Sequence, residues 1–431
     1  NSLFANDTWR LNNNWTFNIG VRYDKNDGQD SSGADVAKDS RISPRLGATW
    51  DIKGDGEWLI NASLSRYVAA INQIADNTSS AGNPAWIQYY YLGPDINMGA
   101  GPYLNTQEAL QVMFDWFFNE GGGYENGVLL GAPSIPGLTP GILQSLDSPY
   151  TDEYTIGFIK RLGNKGLIRA DYVHRSSASF YAQKIDASTG FVSDEYGQMF
   201  DFAEIINFDD QLTRDYDGLN MQFQYRLNRL NFGGAWTISK LKGNWEGENT
   251  GSGPITNTLL EYPEYKDISW NAPDGDLFGD QRHKVNLYVL WDVISSRRFN
   301  LSASLLQNYF SGTPYYAVDG INTQWYVDNT VGYQSPPTQV DYFYSDRDAY
   351  RTDGITSTDL AFSFSFFIPV GGTSIEMYIQ PQILNVFNES NADSVDSTVT
   401  TDASNPFNPW TETPVEGVHY NKGPNFGQPV I

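Results

Sequence analysis

The sequence predicts an all-β protein, a transmembrane antiparallel up-and-down β-barrel, and three observations predict it. Twelve stretches of the 431-residue chain alternate apolar and polar residues; the gaps between them alternate short and long; and aromatic residues flank the short gaps. A period of two marks a β-strand, because successive side chains point to opposite faces. Leu360, Phe362, Phe364, Phe366 and Ile368 share one face against Ala361, Ser363 and Ser365. Ile375, Met377, Ile379 and Ile383 oppose Glu376, Tyr378, Gln380 and Gln382 in the same way. A soluble β-sandwich also alternates. Short turns at one end and long loops at the other decide for an outer-membrane barrel.

The strands are expected as six hairpins: 2–11 with 15–23, 41–51 with 57–67, 150–162 with 166–175, 216–227 with 230–240, 281–292 with 299–310, and 355–369 with 374–387. Each short turn is rich in Gly, Asn, Asp or Ser, as tight hairpins require. The long segments between them are 24–40, 68–149, 182–215, 241–280 and 311–354. No run of about 18 apolar residues suggests a transmembrane helix. The mean hydropathy of −0.44 hides a barrel, since only alternate strand residues face lipid.

A formal net charge of −24 argues against nucleic acid as a partner, because phosphate binding needs a basic surface. It fits acidic loops beside lipopolysaccharide and equally a solvated acidic exterior. The absence of cysteine removes disulfides and thiolate metal sites. Trp9, Trp15, Trp50, Trp58, Trp291 and Phe299 lie beside short turns, where rings would sit at headgroup level. On the opposite phase are Arg22, Arg45, Glu153, Arg169, Asp171, Arg226 and Glu376, expected to line a polar lumen.

The 68–149 loop holds Trp86, Tyr89, Tyr90 and Tyr91, rings suited to stacking on a ligand or to packing the loop itself. Asn105 and Glu108 have capping-box spacing, so a short helix is expected near 106–119, lying over the mouth with Phe114 and Phe117 buried. Two acidic runs could hold Ca²⁺ or form plain turns: Asp24, Asn26, Asp27 and Asp30, and Asp274, Asp276 and Asp280. No other cofactor is expected. His174, His283 and His419 are widely separated, and no nucleophile elbow, zinc pair or phosphate loop accompanies them, so the chain does not read as an enzyme.

Several stretches carry a resemblance. Asp7-Thr8-Trp9-Arg10 precedes Gly20-Val21-Arg22-Tyr23-Asp24, and Ser43-Pro44-Arg45-Leu46-Gly47 precedes Ala62-Ser63-Leu64-Ser65-Arg66-Tyr67. Asp152-Glu153-Tyr154, Asp171-Tyr172-Val173-His174-Arg175, Tyr216-Asp217-Gly218-Leu219, Gly279-Asp280-Gln281-Arg282 and Asn385-Val386-Phe387-Asn388 follow in order. Together they resemble the barrel of TonB-dependent outer-membrane receptors, specifically the Oar-like branch. The resemblance implies that 1–431 is the C-terminal portion of a 22-stranded barrel, about twelve strands of it. The plug, the first strands and the last strand would lie elsewhere. It further implies the outer membrane of a Gram-negative bacterium, a TonB–ExbB–ExbD partner, an extracellular substrate, and transport as the function. The alternative is a structural, adhesive or export-related surface protein with protein partners of its own.

Overall fold

A computed structural model describes residues 1–29, 33, 35–69, 89–99, 101–121, 123, 141–193, 199–208, 211–246, 259–296, 298–392 and 394–430. Twelve strands run in sequence order across one sheet, each antiparallel to the next. They are β1 (Ser2–Arg10), β2 (Trp15–Lys25), β3 (Ser40–Asp51), β4 (Trp58–Val68), β5 (Tyr150–Arg161) and β6 (Gly166–Ala178). Then come β7 (Arg214–Leu227), β8 (Leu230–Gly243), β9 (His283–Ser295), β10 (Phe299–Phe310), β11 (Ile355–Val370) and β12 (Thr373–Ile379). The sheet is a partial barrel. Its outer strands, β1 and β12, expose every residue.

Local chemistry sets the turns. Asp51 accepts from the amides of Gly54 and Gly56 at 2.9 and 2.6 Å, closing the β3–β4 turn. Gly371 and Gly372, both at positive φ, make the two-residue β11–β12 turn, a conformation that glycine adopts without steric cost. The last strand is shorter than the expected 374–387. Pro381 has no N–H to give the ladder, so the strand breaks there and resumes only at Gln382–Ile383. Asn385 and Asn388 then take left-handed φ, and Asn385 caps Glu389, so the chain turns instead of extending.

The apolar phase of the sheet faces outward, uncovered. Leu3, Ile42, Ile156, Trp291 and Ile375 are each more than half exposed. A soluble monomer seldom exposes an apolar patch beyond a few hundred Å². Among the described residues, Val173 is the one buried hydrophobic residue that belongs to the twelve strands. The rings next to the short turns share this outward phase. Trp15 stacks on Trp50 at 5.6 Å, and Trp58 meets Phe158 at 5.5 Å.

Arginine on the outward face should be costly and arginine on the inward face cheap. Val289→Arg is expected to lower unfolding free energy in lipid vesicles by about 2–4 kcal/mol, the range for a charge near the bilayer midplane. Asn286→Arg, on the opposite face of the same strand, should stay within about 0.5 kcal/mol, as for an ordinary exposed substitution.

Candidate functional site

The seven charged residues of the polar phase lie on one face of the sheet. Register carries that phase from strand to strand: Phe4 faces Arg22, Gly20 faces Arg45, Arg45 faces Ser65, and Ser65 faces Glu153. Gly157 faces Asp171, Ile159 faces Arg169, and Arg169 faces Gln222, two places before Gln224 and four before Arg226. At the far edge, Glu376 faces Phe367 in step with Ser365 and Ser363. These residues do not converge on one point. Arg22 donates to Asp24 at 2.8 Å, Arg175 to Glu153 at 2.6 Å, and Arg169 pairs with Asp171. Gly157 leaves room for Asp171, whose carboxylate occupies the space a side chain would need, near the Asn61 amide. Arg45 lies over the Tyr67 ring.

Above the sheet, at the long-loop end, the connecting segments build the buried cores. Phe180, Ala182, Leu212 and Trp245 pack together, as do Ile185, Ala203, Tyr262, Tyr265 and Tyr333. Trp270, Ile321, Val340, Tyr342 and Phe407 form another core, and Ala317, Val399 and Tyr420 a further one. Residues 311–354 and 384–430 therefore fold as one body. The Thr401 amide and hydroxyl both donate to Asp319 at 2.8 Å.

An ion-pair clasp ties this crown to the top of β8. Asp280, whose side chain is fully buried, accepts from the Leu241 amide at 2.7 Å and from Arg351 at 2.5 Å, with Arg282 at 3.3 Å. Asp276 binds Arg351 at 2.7 Å, Arg282, and Lys240 at 3.4 Å. Burial alone would raise the Asp276 carboxyl, but the hydrogen bonds from Arg351 and Arg282 outweigh it and hold it below the usual range. Deeper in the crown, burial pushes Glu261 up to about 7, with the Lys266 charge offsetting part of that. Burial pushes Lys266 down to about 8, against the pull of Glu261 and Asp341.

The acidic runs are engaged mostly with cations. Asp27 pairs with Lys25, Asp274 with Lys242, and the Asn26 amide donates to Asp39; Asp30 lies outside the described residues. Among the described residues, no group of three or more His, Asp or Glu could hold a metal ion. His174 pairs with Asp217, which also accepts from the Tyr172 hydroxyl. The His419 ring accepts from the Val415 amide at 2.9 Å, and the Trp236 indole donates to His283 at 3.3 Å.

In the 68–149 loop, helix α1 (Thr106–Asp115) starts at a capping box: the Glu108 amide donates to Asn105, and the Asn105 amide to Glu108. A π-helical turn, Trp116–Glu120, continues it. Tyr89 packs edge-on against Phe117, and Tyr91 against Trp116, both at 5.0 Å. Tyr90 is exposed, and Trp86 lies outside the described residues. The helix buries none of its residues, and Phe114 is exposed, contrary to the expected burial. Its apolar stripe meets Tyr89, Tyr90 and Tyr91 around a cavity of about 360 Å³, and among the described residues no buried core includes a residue of the helix.

A family model for an outer membrane beta barrel domain matches residues 25–312. The chain belongs to that family. Its place is therefore the outer membrane of a Gram-negative bacterium, with the short turns periplasmic and the crown extracellular. Among solved structures, the chain is similar to the outer membrane transporter YddB from Escherichia coli, at 15% identity and a TM-score of 0.53, covering 92% of this chain and 42% of that one. The FrpB iron transporter from Neisseria meningitidis follows at 12% identity and a TM-score of 0.47, covering 90% and 41%. The siderophore receptor PiuA from Acinetobacter baumannii stands at 10% and 0.44, covering 89% and 42%. The likeness to YddB shows a shared fold, and the chain spans less than half the length of each of these structures. No curated protein matches the sequence.

The crown cores and the clasp were not foreseen from the sequence. Arg351 reaches Asp280 across 71 positions, and nothing local announces such a pair. In this outer-membrane barrel, Asp280→Ala would leave Arg351 and Arg282 short of a carboxylate. Both arginine side chains are about a third exposed, so water screens part of the loss, and a cost of about 2–3 kcal/mol is expected. Amide exchange in 276–282 and 350–352 should quicken at least tenfold.

The Glu261 shift gives a pH dependence with a definite sign. Because the folded crown favours the neutral acid, its contribution is complete below the unfolded value of 4.5 and is lost as pH rises towards about 7. Lys266 works oppositely, contributing above 10.5 and losing that as pH falls through about 8. Exchange in 260–266, corrected for intrinsic rates, should quicken from pH 5 to pH 7. Glu261→Gln should remove that rise.

Proposed function

We propose that this barrel is the wall and the extracellular capture surface of a TonB-dependent transporter of the Oar-like type. The observation that carries the reading is the single polar face, held in phase across twelve strands beneath a folded crown. A lumen walled by Arg22, Arg45, Glu153, Arg169, Asp171, Arg226 and Glu376 suits a wet, charged interior. Both edges of the partial barrel need partners, because open edges in hydrocarbon leave backbone groups unsatisfied. Further strands would close it, a plug would fill it, and the TonB–ExbB–ExbD complex would move the plug. The crown and Tyr90 would meet the substrate, and the work is binding and gated passage, with no covalent step. Lipid and lipopolysaccharide surround the outward face. Calcium in the acidic loops would have to displace cations at both runs, since Arg22 and Lys25 engage Asp24 and Asp27, and Lys242, Arg282 and Arg351 engage Asp274, Asp276 and Asp280.

One observation favours the second reading, a surface protein that docks partners. The stripe of Leu110, Phe114 and Phe118 on and just after α1 is exposed, as a protein contact would require. Growth or uptake assays on the intact gene separate the two. Transport requires that uptake of some nutrient be lost equally on deleting this gene and on deleting tonB. Intact uptake across a nutrient panel, with loss of surface attachment only, would support the docking role and contradict transport.

A further inference from the structure

Between the 311–354 and 384–430 segments lies a cleft of about 160 Å³. Its floor is the buried ring of Phe407 and the side chain of Ile321, both fixed in the Trp270–Tyr342 core. Its rim carries Trp325, 58% exposed, together with Asp319, Asn322, Gln339 and Asp402.

The polar groups of the rim are held in place from behind. Asp319 Oδ2 accepts both donors of Thr401, whose hydroxyl also contacts Tyr344 at 2.9 Å. Asp402 Oδ1 accepts from the Ser404 amide at 2.8 Å, and its own amide donates to His419 O. Asn322 Oδ1 accepts from the Gln324 amide at 2.9 Å. These bonds use one oxygen of each carboxylate and leave the other, along with the amide Nδ2 of Asn322 and the Gln339 side chain, for a ligand.

That set of groups selects a chemistry. Among the described residues no Lys or Arg lines the cleft, so an anion finds two carboxylates and no counter-charge. A bare cation would use the carboxylates but none of the amide donors. A neutral ligand bearing several hydroxyls uses both, since each hydroxyl donates to a carboxylate and accepts from an amide. An exposed indole beside such groups offers a negative π-face to the positive C–H edges of a saturated ring. The volume is well below that of an ordinary ligand pocket, which suits one ring of a longer chain.

We propose that this cleft binds one sugar ring of a neutral glycan, with Trp325 stacked on its face and Asp319, Asn322, Gln339 and Asp402 holding its hydroxyls. The assignment goes beyond the transport reading and does not need it: a glycan-binding cleft serves capture for uptake or for attachment alike.

The test is calorimetric titration of the full-length protein in a detergent without a sugar head group. The probes are neutral hexasaccharides of glucose in α- and β-linkage, of mannose and of xylose, with tetralysine and tetraglutamate alongside. At least one hexasaccharide should bind, and the two peptides should not. Trp325→Ala should weaken that binding at least tenfold, and Trp325→Phe should keep most of it. Because Trp325 is exposed, both variants should retain the heat-dependent gel mobility of a folded barrel. Absence of hexasaccharide binding, unchanged binding by Trp325→Ala, or binding of tetralysine alone would overturn the assignment. The readout is independent of TonB, so a failed uptake assay leaves it standing and a failed titration leaves transport standing.

Discussion

The phase of the strands depends on one constraint: in hydrocarbon, every backbone N–H and C=O must find its partner on a neighbouring strand. A ladder that satisfies this fixes register, and register fixes which side chains face lipid. A slip of one residue between β5 and β6 would carry Ile156 from opposite Tyr172 to opposite Asp171 or Val173, on the polar phase. The β9–β10 pair shows how strictly the phase is kept. A bulge near Asp292 shifts the register, yet Phe299 still faces Phe366 on the outward side.

The same constraint explains where the molecule keeps its core. A sheet whose apolar face meets lipid keeps no protein interior on that side. Burial of Trp245, Tyr265, Trp270 and Phe407 therefore moves into the extracellular segments, which fold as small cores locked to the strand tops by Asp276, Asp280 and Arg351. Segments 311–354 and 384–430 share two of these cores, which makes that side of the mouth a fixed wall. Among the described residues, helix α1 contributes to none of those cores, and its apolar stripe is exposed. The proposed glycan cleft and the exposed stripe of α1 both lie in the long connecting segments.

The strands were legible because periodicity is local, and the turn chemistry that bounds them is local too. Leu360 to Ile368 announce their face within nine residues. The loops were not legible, because their order comes from contacts across long separations: Phe407 with Tyr342, Tyr333 with Glu264, Arg351 with Asp280. The acidic run at Asp274, Asp276 and Asp280 was visible as carboxylates with Arg282 beside them, but Arg351, which also binds Asp276 and Asp280, is 71 residues beyond Asp280. Helix α1 shows the opposite failure. Its capping box was readable, while the exposure of Phe114 depends on what surrounds the helix, which a heptad pattern does not encode. Pro381 was in plain view and argued against a strand running to 387.

The absence of cysteine makes the central claim directly measurable. Single cysteines placed in turn at 360–368 of β11 and spin-labelled in lipid vesicles would report contact with oxygen, which partitions into lipid, and with a water-soluble nickel chelate. Oxygen contact should peak at 360, 362, 364, 366 and 368, and nickel contact at 361, 363, 365 and 367. A flat profile, or the reverse phase, would contradict a sheet whose apolar face meets the membrane.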